Sequence, residues 1–292
     1  MKNPIISIIT PTCNSAQEIE SCILSVAEQS CADKEHLIID NLSSDDTLDI
    51  VKRYAKLYPH IRYLSERDNG IYDAMNKGIE KSCGQWIYFL GSDDTFFDRH
   101  VLRDLRFADA TELDVIYGNV KWGKWGKTYD GEFSLAKLLK KNICHQSIFF
   151  RRELFERYGK FDTRYPVLAD WAFNIQWFGS SSVTRSYRER IIAVYGTGGL
   201  SSQKIDALFY HERELLMRRY FPTEFVDQFY AHLAETLKER EREIERLHQA
   251  LQGGKIQLRD LDHPLSQLFS LYLLHITKPI RKLSNSLRKR LR

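Results

Sequence analysis

Two adjacent carboxylates, Asp93 and Asp94, follow the apolar run Trp86-Ile87-Tyr88-Phe89-Leu90. A carboxylate pair at a strand end can bind a hard divalent cation, and that cation can neutralise a diphosphate. Taken alone, such a pair is more often a turn or a helix cap. Three other polar groups also sit just behind apolar runs: Thr10-Pro11-Thr12, Asp40-Asn41 and Glu66-Arg67-Asp68. Ligands of open α/β sheets bind beyond the carboxyl ends of the strands, so four such ends predict one polar crevice. The chain has no GxGxxG and no Walker loop, which argues against a dinucleotide oxidoreductase and a P-loop ATPase.

The elements that would carry these groups alternate. Short apolar strands are expected at Ile5–Ile9, Leu37–Ile39, Ile61–Leu64 and Trp86–Leu90. Between them, helices are expected over Ala16–Gln29 with Ser15 as N-cap, over Thr47–Leu57 and over Ile71–Lys81. Strands separated by helices of this length imply βαβ units and a mostly parallel sheet. Beyond Asp114 the pattern turns irregular, with strands expected at 114–120, 147–150 and 191–195 and an aromatic helix within 165–178. The α/β domain is read as residues 1–205. Residues 206–254 form a helical extension in which Val226, Tyr230, Leu233, Leu237, Ile244, Leu247 and Leu251 keep a heptad spacing broken by Arg240. That stretch, 225–251, fits a packed surface helix or a homo-oligomer seam.

The 292 residues are 43% apolar and 28% charged, an ordinary globular mixture that excludes a disordered or fibrous chain. The net charge of +4 is unevenly placed. Seven Lys and Arg follow His263 with no Asp or Glu; removing them from the 43 basic residues leaves 36 against 39 acidic ones, about −3 for residues 1–263. A generic nucleic-acid binder is therefore not expected. In the tail, residues 255–292, Ile280, Leu283, Leu287 and Leu291 share one helical face, with most of the basic residues opposite. This is the pattern of an amphipathic helix lying on an anionic membrane surface. Five cysteines without a CxxC pair suit reduced thiols, and no apolar run reaches the length of a spanning helix. The expected location is cytoplasmic, peripheral on the inner face of the cell membrane.

Four blocks, in order, resemble family 2 glycosyltransferases: Ser7-Ile8-Ile9-Thr10-Pro11-Thr12-Cys13-Asn14; Ile38-Ile39-Asp40-Asn41 with Ser43 and Thr47; Asp68-Asn69-Gly70-Ile71-Tyr72-Asp73-Ala74-Met75-Asn76-Lys77-Gly78; and Phe89-Leu90-Gly91-Ser92-Asp93-Asp94. The resemblance covers residues 4–205. It implies a GT-A fold, a Rossmann-like, mostly parallel sheet flanked by helices, here with an α-helical C-terminal extension. It also implies inverting transfer from a nucleotide-sugar, usually with Mn²⁺ or Mg²⁺.

Carried over residue by residue, the resemblance places Pro11 and Thr12 on the nucleoside. Asp40 or Asn41 would read the base, and a carboxylate there suits a UDP-sugar. Asp68 would lie near the nucleotide, and Asn76 and Lys77 would approach the phosphates. Asp93 and Asp94 would bind the metal, although the family often has an Asp where Gly91 stands. Asp170 matches the Asp of the family's Glu-Asp motif and would be the general base, with Ala169 in place of Glu. His145 and Trp171 would contact the acceptor, and Trp122 and Trp125 are either core or a cover over it. Cys13 stands where an aromatic residue is common, and Gly198-Gly199-Leu200-Ser201 is either a mobile loop over the diphosphate or a turn.

The sequence thus reads as an inverting glycosyltransferase acting on a glycan or a polyprenyl-diphosphate-linked acceptor. Two alternatives belong to other classes. A sugar nucleotidyltransferase would carry a Gly-rich, basic first loop, which Thr10-Pro11-Thr12-Cys13-Asn14 lacks. A catalytically inactive, sugar-nucleotide-binding scaffold is left open by Gly91 and Ala169.

Overall fold

The computed structural model describes residues 4–123, 126–196 and 205–252. The chain forms two compact units, residues 1–221 and the segment from Pro222 onward. Trp125, the 198–201 loop and the basic tail lie outside the described residues.

The first unit opens with β1 (Ile6–Thr12), α1 (Ile19–Ala27), β2 (Lys34–Asp40), α2 (Thr47–Leu57), β3 (Ile61–Ser65), α3 (Ile71–Lys81) and β4 (Trp86–Phe89). It continues through β5 (Thr95–Phe96), α4 (Val101–Asp104), β6 (Val115–Trp122), β7 (Thr128–Tyr129), α5 (Leu135–Lys140), β8 (Ile148–Arg151) and α6 (Arg152–Tyr158). It closes with α7 (Ala169–Gly179), β9 (Arg185–Tyr195) and α8 (Ala207–Tyr220). The sheet order is β3-β2-β1-β4-β8-β6-β9-β5, with β7 paired on β6. The pairings within β3-β2-β1-β4 are all parallel, whereas β8 runs antiparallel to both β4 and β6. The parallel character expected from the sequence therefore belongs to the N-terminal half and to the β6–β9 pair.

The chain moves outward from β1 to β3 and then returns to lay β4 on the other side of β1. That reversal opens a crevice at the carboxyl ends of β1 and β4. β1 is buried at every position, as expected for a strand covered on both faces. It also runs on through Pro11 and Thr12, past the expected end at Ile9. The Ile9 carbonyl accepts from Leu90 N–H on the β4 side, and the Thr12 carbonyl accepts from Asn41 N–H on the β2 side. Pro11 therefore faces the β4 side just where β4 has ended, so its missing N–H costs no ladder bond.

Helix α1 begins at Ile19, a turn later than expected, and Ser15 is not its N-cap. The Ser15 carbonyl accepts from Glu18 and Ile19 N–H in a preceding turn, while its hydroxyl pairs with Ser92 Oγ at 2.9 Å.

Helix α7 is buried along most of its length, from Ala169 to Phe178. Phe155 stacks on its Phe173 at 4.9 Å with rings nearly parallel, and Phe161 and Phe150 meet the same ring edge-on. This aromatic packing fixes the helix whose first turn carries Asp170. Helix α8 joins the same unit, beyond the boundary near residue 205 read from the sequence. Asp206 caps it by accepting from Phe209 N–H, and Arg213 donates to the Leu139 carbonyl.

In the second unit, α9 (Thr223–Gln252) is one continuous helix over the heptad stretch. No helix among the described residues is long and apolar enough to cross a membrane.

Candidate active site

A cavity of about 400 Å³ lies at the crevice, and Tyr72, Asp93, Asp94, Trp122, His145 and Asp170 are among its lining residues. β4 delivers the two adjacent carboxylates and the first turn of α7 delivers Asp170.

The two neighbouring aspartates have opposite surroundings. Asp94 is 2% exposed, and its carboxylate accepts from Gly91 N–H (3.1 Å), Gln146 Nε2 (2.8 Å) and Gly196 N–H (2.9 Å). Burial pushes its pKa up, with the Asp93 charge adding to the rise. Asp93 is exposed, and no donor bonds its carboxylate among the described residues. No group of three or more His, Cys, Asp or Glu side chains converges as a metal cage among the described residues. Of the pair, Asp93 is thus the carboxylate left open to a divalent cation.

Asp170 is 7% exposed and sits among donors. Its Oδ1 accepts from Tyr72 Oη and from Trp171 N–H, both at 2.8 Å, and its Oδ2 accepts from Asn142 Nδ2 at 2.9 Å. His145 Nδ1 stands 3.6 Å from Oδ2. Burial, followed by the Asp170 charge, raises the Tyr72 phenol well above its ordinary pKa, so Tyr72 stays protonated as a donor.

A second, open depression is lined by Asn41, Leu42, Arg67 and Asp68, beyond the ends of β2 and β3. Of the adjacent pair, Asp40 is fully buried; its carboxylate accepts from Ser43 Oγ (2.5 Å), Ser65 Oγ (2.6 Å) and Ser43 N–H, which shapes the loop. Asn41 is the residue that faces the depression, with Oδ1 accepting from Asp68 N–H at 2.9 Å. Asp68 is pushed up by burial while its Oδ1 accepts from Gly70 N–H. Thr12 Oγ1, at the end of β1, is buried without a hydrogen-bond partner among the described residues.

Four of the expected site residues are engaged elsewhere or lie outside the cavity and the depression. Trp171 is 5% exposed; its indole N–H bonds the Leu138 carbonyl and its ring packs on Phe209, so it is core and offers no face to an acceptor. Asn76 bonds Phe161 in both directions, Nδ2 to the carbonyl and Oδ1 from the N–H, which ties down the loop after α6 and leaves no contact for phosphate. Lys77 is held by Glu66 at 3.0 Å and by the Arg67 carbonyl, on the side of the depression. Pro11 is buried in β1 and lines neither cavity. Trp122, by contrast, is 54% exposed and lies nearly parallel to Tyr195 at 6.1 Å. Asn142, Tyr72 and Tyr195 were not singled out from the sequence. Tyr72 lies inside the quoted Asp68–Gly78 block, but no spacing marks Asn142 or Tyr195.

The sequence profile of glycosyl transferase family 2 matches residues 7–170, more than half of the chain. The chain belongs to this family. This glycosyltransferase is 40% identical over 214 residues to the PGL/p-HBAD biosynthesis glycosyltransferase of Mycobacterium bovis, covering 72% of this chain and 84% of that protein. The same figures hold for the protein of that name from Mycobacterium tuberculosis.

Its fold is GT-A, matching two solved structures. Staphylococcus aureus TarS 1–349 in complex with UDP-GlcNAc aligns with a TM-score of 0.64 at 20% identity, over 80% of this chain and 71% of that one. The mannosyltransferase PcManGT of Pyrobaculum calidifontis in complex with GDP-Man and Mn²⁺ aligns with a TM-score of 0.60 at 18% identity, over 97% and 84%.

A Cβ on Gly91 would lie 2.5 Å from Asp94 Oδ2, so the Asp94 carboxylate fills the space that a side chain at 91 needs.

Proposed function

We propose that this glycosyltransferase inverts the anomeric centre of a UDP-sugar as it transfers the sugar to a hydroxyl of a glycan or polyprenyl-diphosphate-linked acceptor. The observation that carries the reading is the single cavity lined by both Asp93 and Asp170. Asp170 accepts the proton of the acceptor hydroxyl while the acceptor oxygen attacks the anomeric carbon. The bond from that carbon to the diphosphate oxygen breaks on the opposite face, and the nucleoside diphosphate leaves with the electron pair. One displacement of this kind inverts the configuration.

Asp93 is the residue that would hold Mn²⁺ or Mg²⁺, and such a cation neutralises the departing diphosphate. Asp94 anchors the loop that presents Asp93. The unpaired Thr12 hydroxyl, with Asn41 and Asp68 at the depression, supports a nucleoside placed at the ends of β1 to β3. Trp122 and Tyr195 offer the acceptor a flat apolar wall, and His145 offers it a polar edge. In this reading the basic tail brings the catalytic unit to an anionic inner-membrane surface, and residues 225–251 supply a seam for a second copy.

The test is a panel of UDP-, GDP- and dTDP-sugars scored by metal-dependent release of the nucleoside diphosphate and by thermal stabilisation of the full chain. UDP-sugars with Mn²⁺ should give both signals. Stabilisation without turnover by any member would favour a sugar-nucleotide-binding scaffold.

A further inference from the structure

Helix α7 places Asp170, Asn174 and Trp177 at the i, i+4 and i+7 spacing of one helical face. Asn174 and Trp177 are buried, at 1% and 0% exposure, and every polar atom they present to each other has a defined role. An indole N–H can only donate. Trp177 Nε1 donates to Asn174 Oδ1 at 2.9 Å, so the amide of Asn174 has one orientation. Its Nδ2 then donates to Asn142 Oδ1 at 2.8 Å, and this in turn leaves Asn142 Nδ2 to donate to Asp170 Oδ2 at 2.9 Å. A donor-only group at one end thus sets the polarity of two amides and imposes an acceptor at the other.

The two oxygens of Asp170 are loaded unequally. Oδ1 already takes two donors, Tyr72 Oη and Trp171 N–H. Oδ2 takes one hydrogen bond among the described residues, from Asn142, and its other neighbour, His145 Nδ1, is too distant at 3.6 Å to make a second. A carboxylate oxygen accommodates two donors, so Oδ2 has room for one more.

We propose that Asn142 is a positioning residue for Asp170, oriented by the relay from Trp177 through Asn174, and that Oδ2 is the atom that receives the acceptor proton. The relay keeps one donor on Oδ2 and holds that oxygen in place, with room for the acceptor hydroxyl. In the transfer step, the acceptor O–H bond breaks and its proton goes to Oδ2. The freed electron pair forms the new bond to the anomeric carbon, and the diphosphate leaves. The assignment rests on Asp170 being the base.

The test uses full-chain variants and reads thermal stability against pH. Asn142→Asp keeps shape but puts a second carboxylate against Asp170, and the pair must share a proton. A proton held more tightly in the folded state than in the unfolded one gives stability that is lost as pH rises. The melting-temperature gap between Asn142→Asp and wild type should therefore widen from pH 5 to pH 8, while the gap of Asn142→Ala stays constant. The double variant Asn142→Asp/Asp170→Asn reverses donor and acceptor and should close most of the widening without restoring turnover. The other titratable groups around this site are Tyr72 on α3, Asp93 and Asp94 after β4, Tyr129 on β7, Cys144 and His145 before β8, Tyr195 on β9 and Asp206 before α8. All are present in every variant, and His145, which would respond to a new carboxylate beside Asp170 Oδ2, is removed from the comparison by repeating the stability series on a His145→Gln background.

In the nucleotide-sugar hydrolysis assay, Asn142→Ala should lower kcat about 10- to 100-fold, part of the 10²–10⁴ supplied by a general base, with donor KM within about twofold. A pH-independent gap for Asn142→Asp, or wild-type kcat in Asn142→Ala, overturns the relay. Wild-type kcat in Asp170→Asn instead overturns the base assignment, and the stability gap still judges the relay.

Discussion

Replacing Asp93 and Asp94 one at a time should separate chemistry from architecture within one dipeptide. Asp94→Ala removes the acceptor shared by Gly91 N–H, Gly196 N–H and Gln146 Nε2. The Gln146 amide can swing to another partner, but the two backbone donors cannot move far. An unpaired buried donor costs about 1–3 kcal/mol, so the loss should be about 2–6 kcal/mol, part of it offset because a buried charge disappears. Asp93→Ala breaks no hydrogen bond among the described residues, and stability should stay within about 0.5 kcal/mol of wild type. A cation's charge stabilisation is worth several kcal/mol, so metal-dependent release of nucleoside diphosphate should fall at least about 100-fold in Asp93→Ala. Equilibrium urea unfolding reads the first effect, and nucleoside diphosphate release reads the second. If Asp93→Ala unfolds as early as Asp94→Ala, or keeps full metal-dependent turnover, the division of labour is refuted.

Gly91→Ala should resemble a weakened Asp94→Ala, because its Cβ would press on Asp94 Oδ2 at 2.5 Å; a lower melting temperature checks this, and an unchanged one contradicts it. Asn76→Ala leaves Phe161 N–H without its side-chain acceptor, and urea unfolding should show a loss of about 1–3 kcal/mol; an unchanged midpoint would mean that the loop holds without this tie. Burial holds His36 neutral with a pKa lowered to about 3, and His60 with one lowered to about 4. Both lie below the ordinary value near 6.5, so the unfolded chain binds more protons between about pH 4 and 6.5, and stability should fall as pH drops through that window. His36→Gln should flatten that slope in urea midpoints taken at pH 7 and pH 5; an unaltered slope would assign it to other groups.

The parts of the fold set by local pattern were legible. Helices over 47–57 and 71–81 appear at the expected residues, because an apolar face at helical spacing and clear end signals act within one segment. The polar strand ends were legible for the same reason, and resemblance to a family motif pointed to Asp170, which the structure sets in one cavity with Asp93. What escaped was set by distant partners. Asp94 differs from Asp93 because Gly196, 102 residues away, closes over it. Asn142 acquires its role only when the segment before β8 meets α7. Trp171 misled because adjacency to Asp170 says nothing of direction: on a helix, neighbouring side chains point to different faces, and its ring turns to Phe209 in α8.

The central claim is that Asp170 is the base of a glycosyl transfer, and the most direct measurement is the transfer rate of Asp170→Asn beside wild type. The amide can still accept from Tyr72 and Trp171 N–H, while its Nδ2 faces the Asn142 donor and loses that hydrogen bond. The variant should therefore fold with about 1–3 kcal/mol less stability and still bind nucleotide. Its rate should fall at least about 100-fold, the lower end of what a general base contributes. A folded, nucleotide-binding Asp170→Asn that transfers sugar at the wild-type rate would contradict the account.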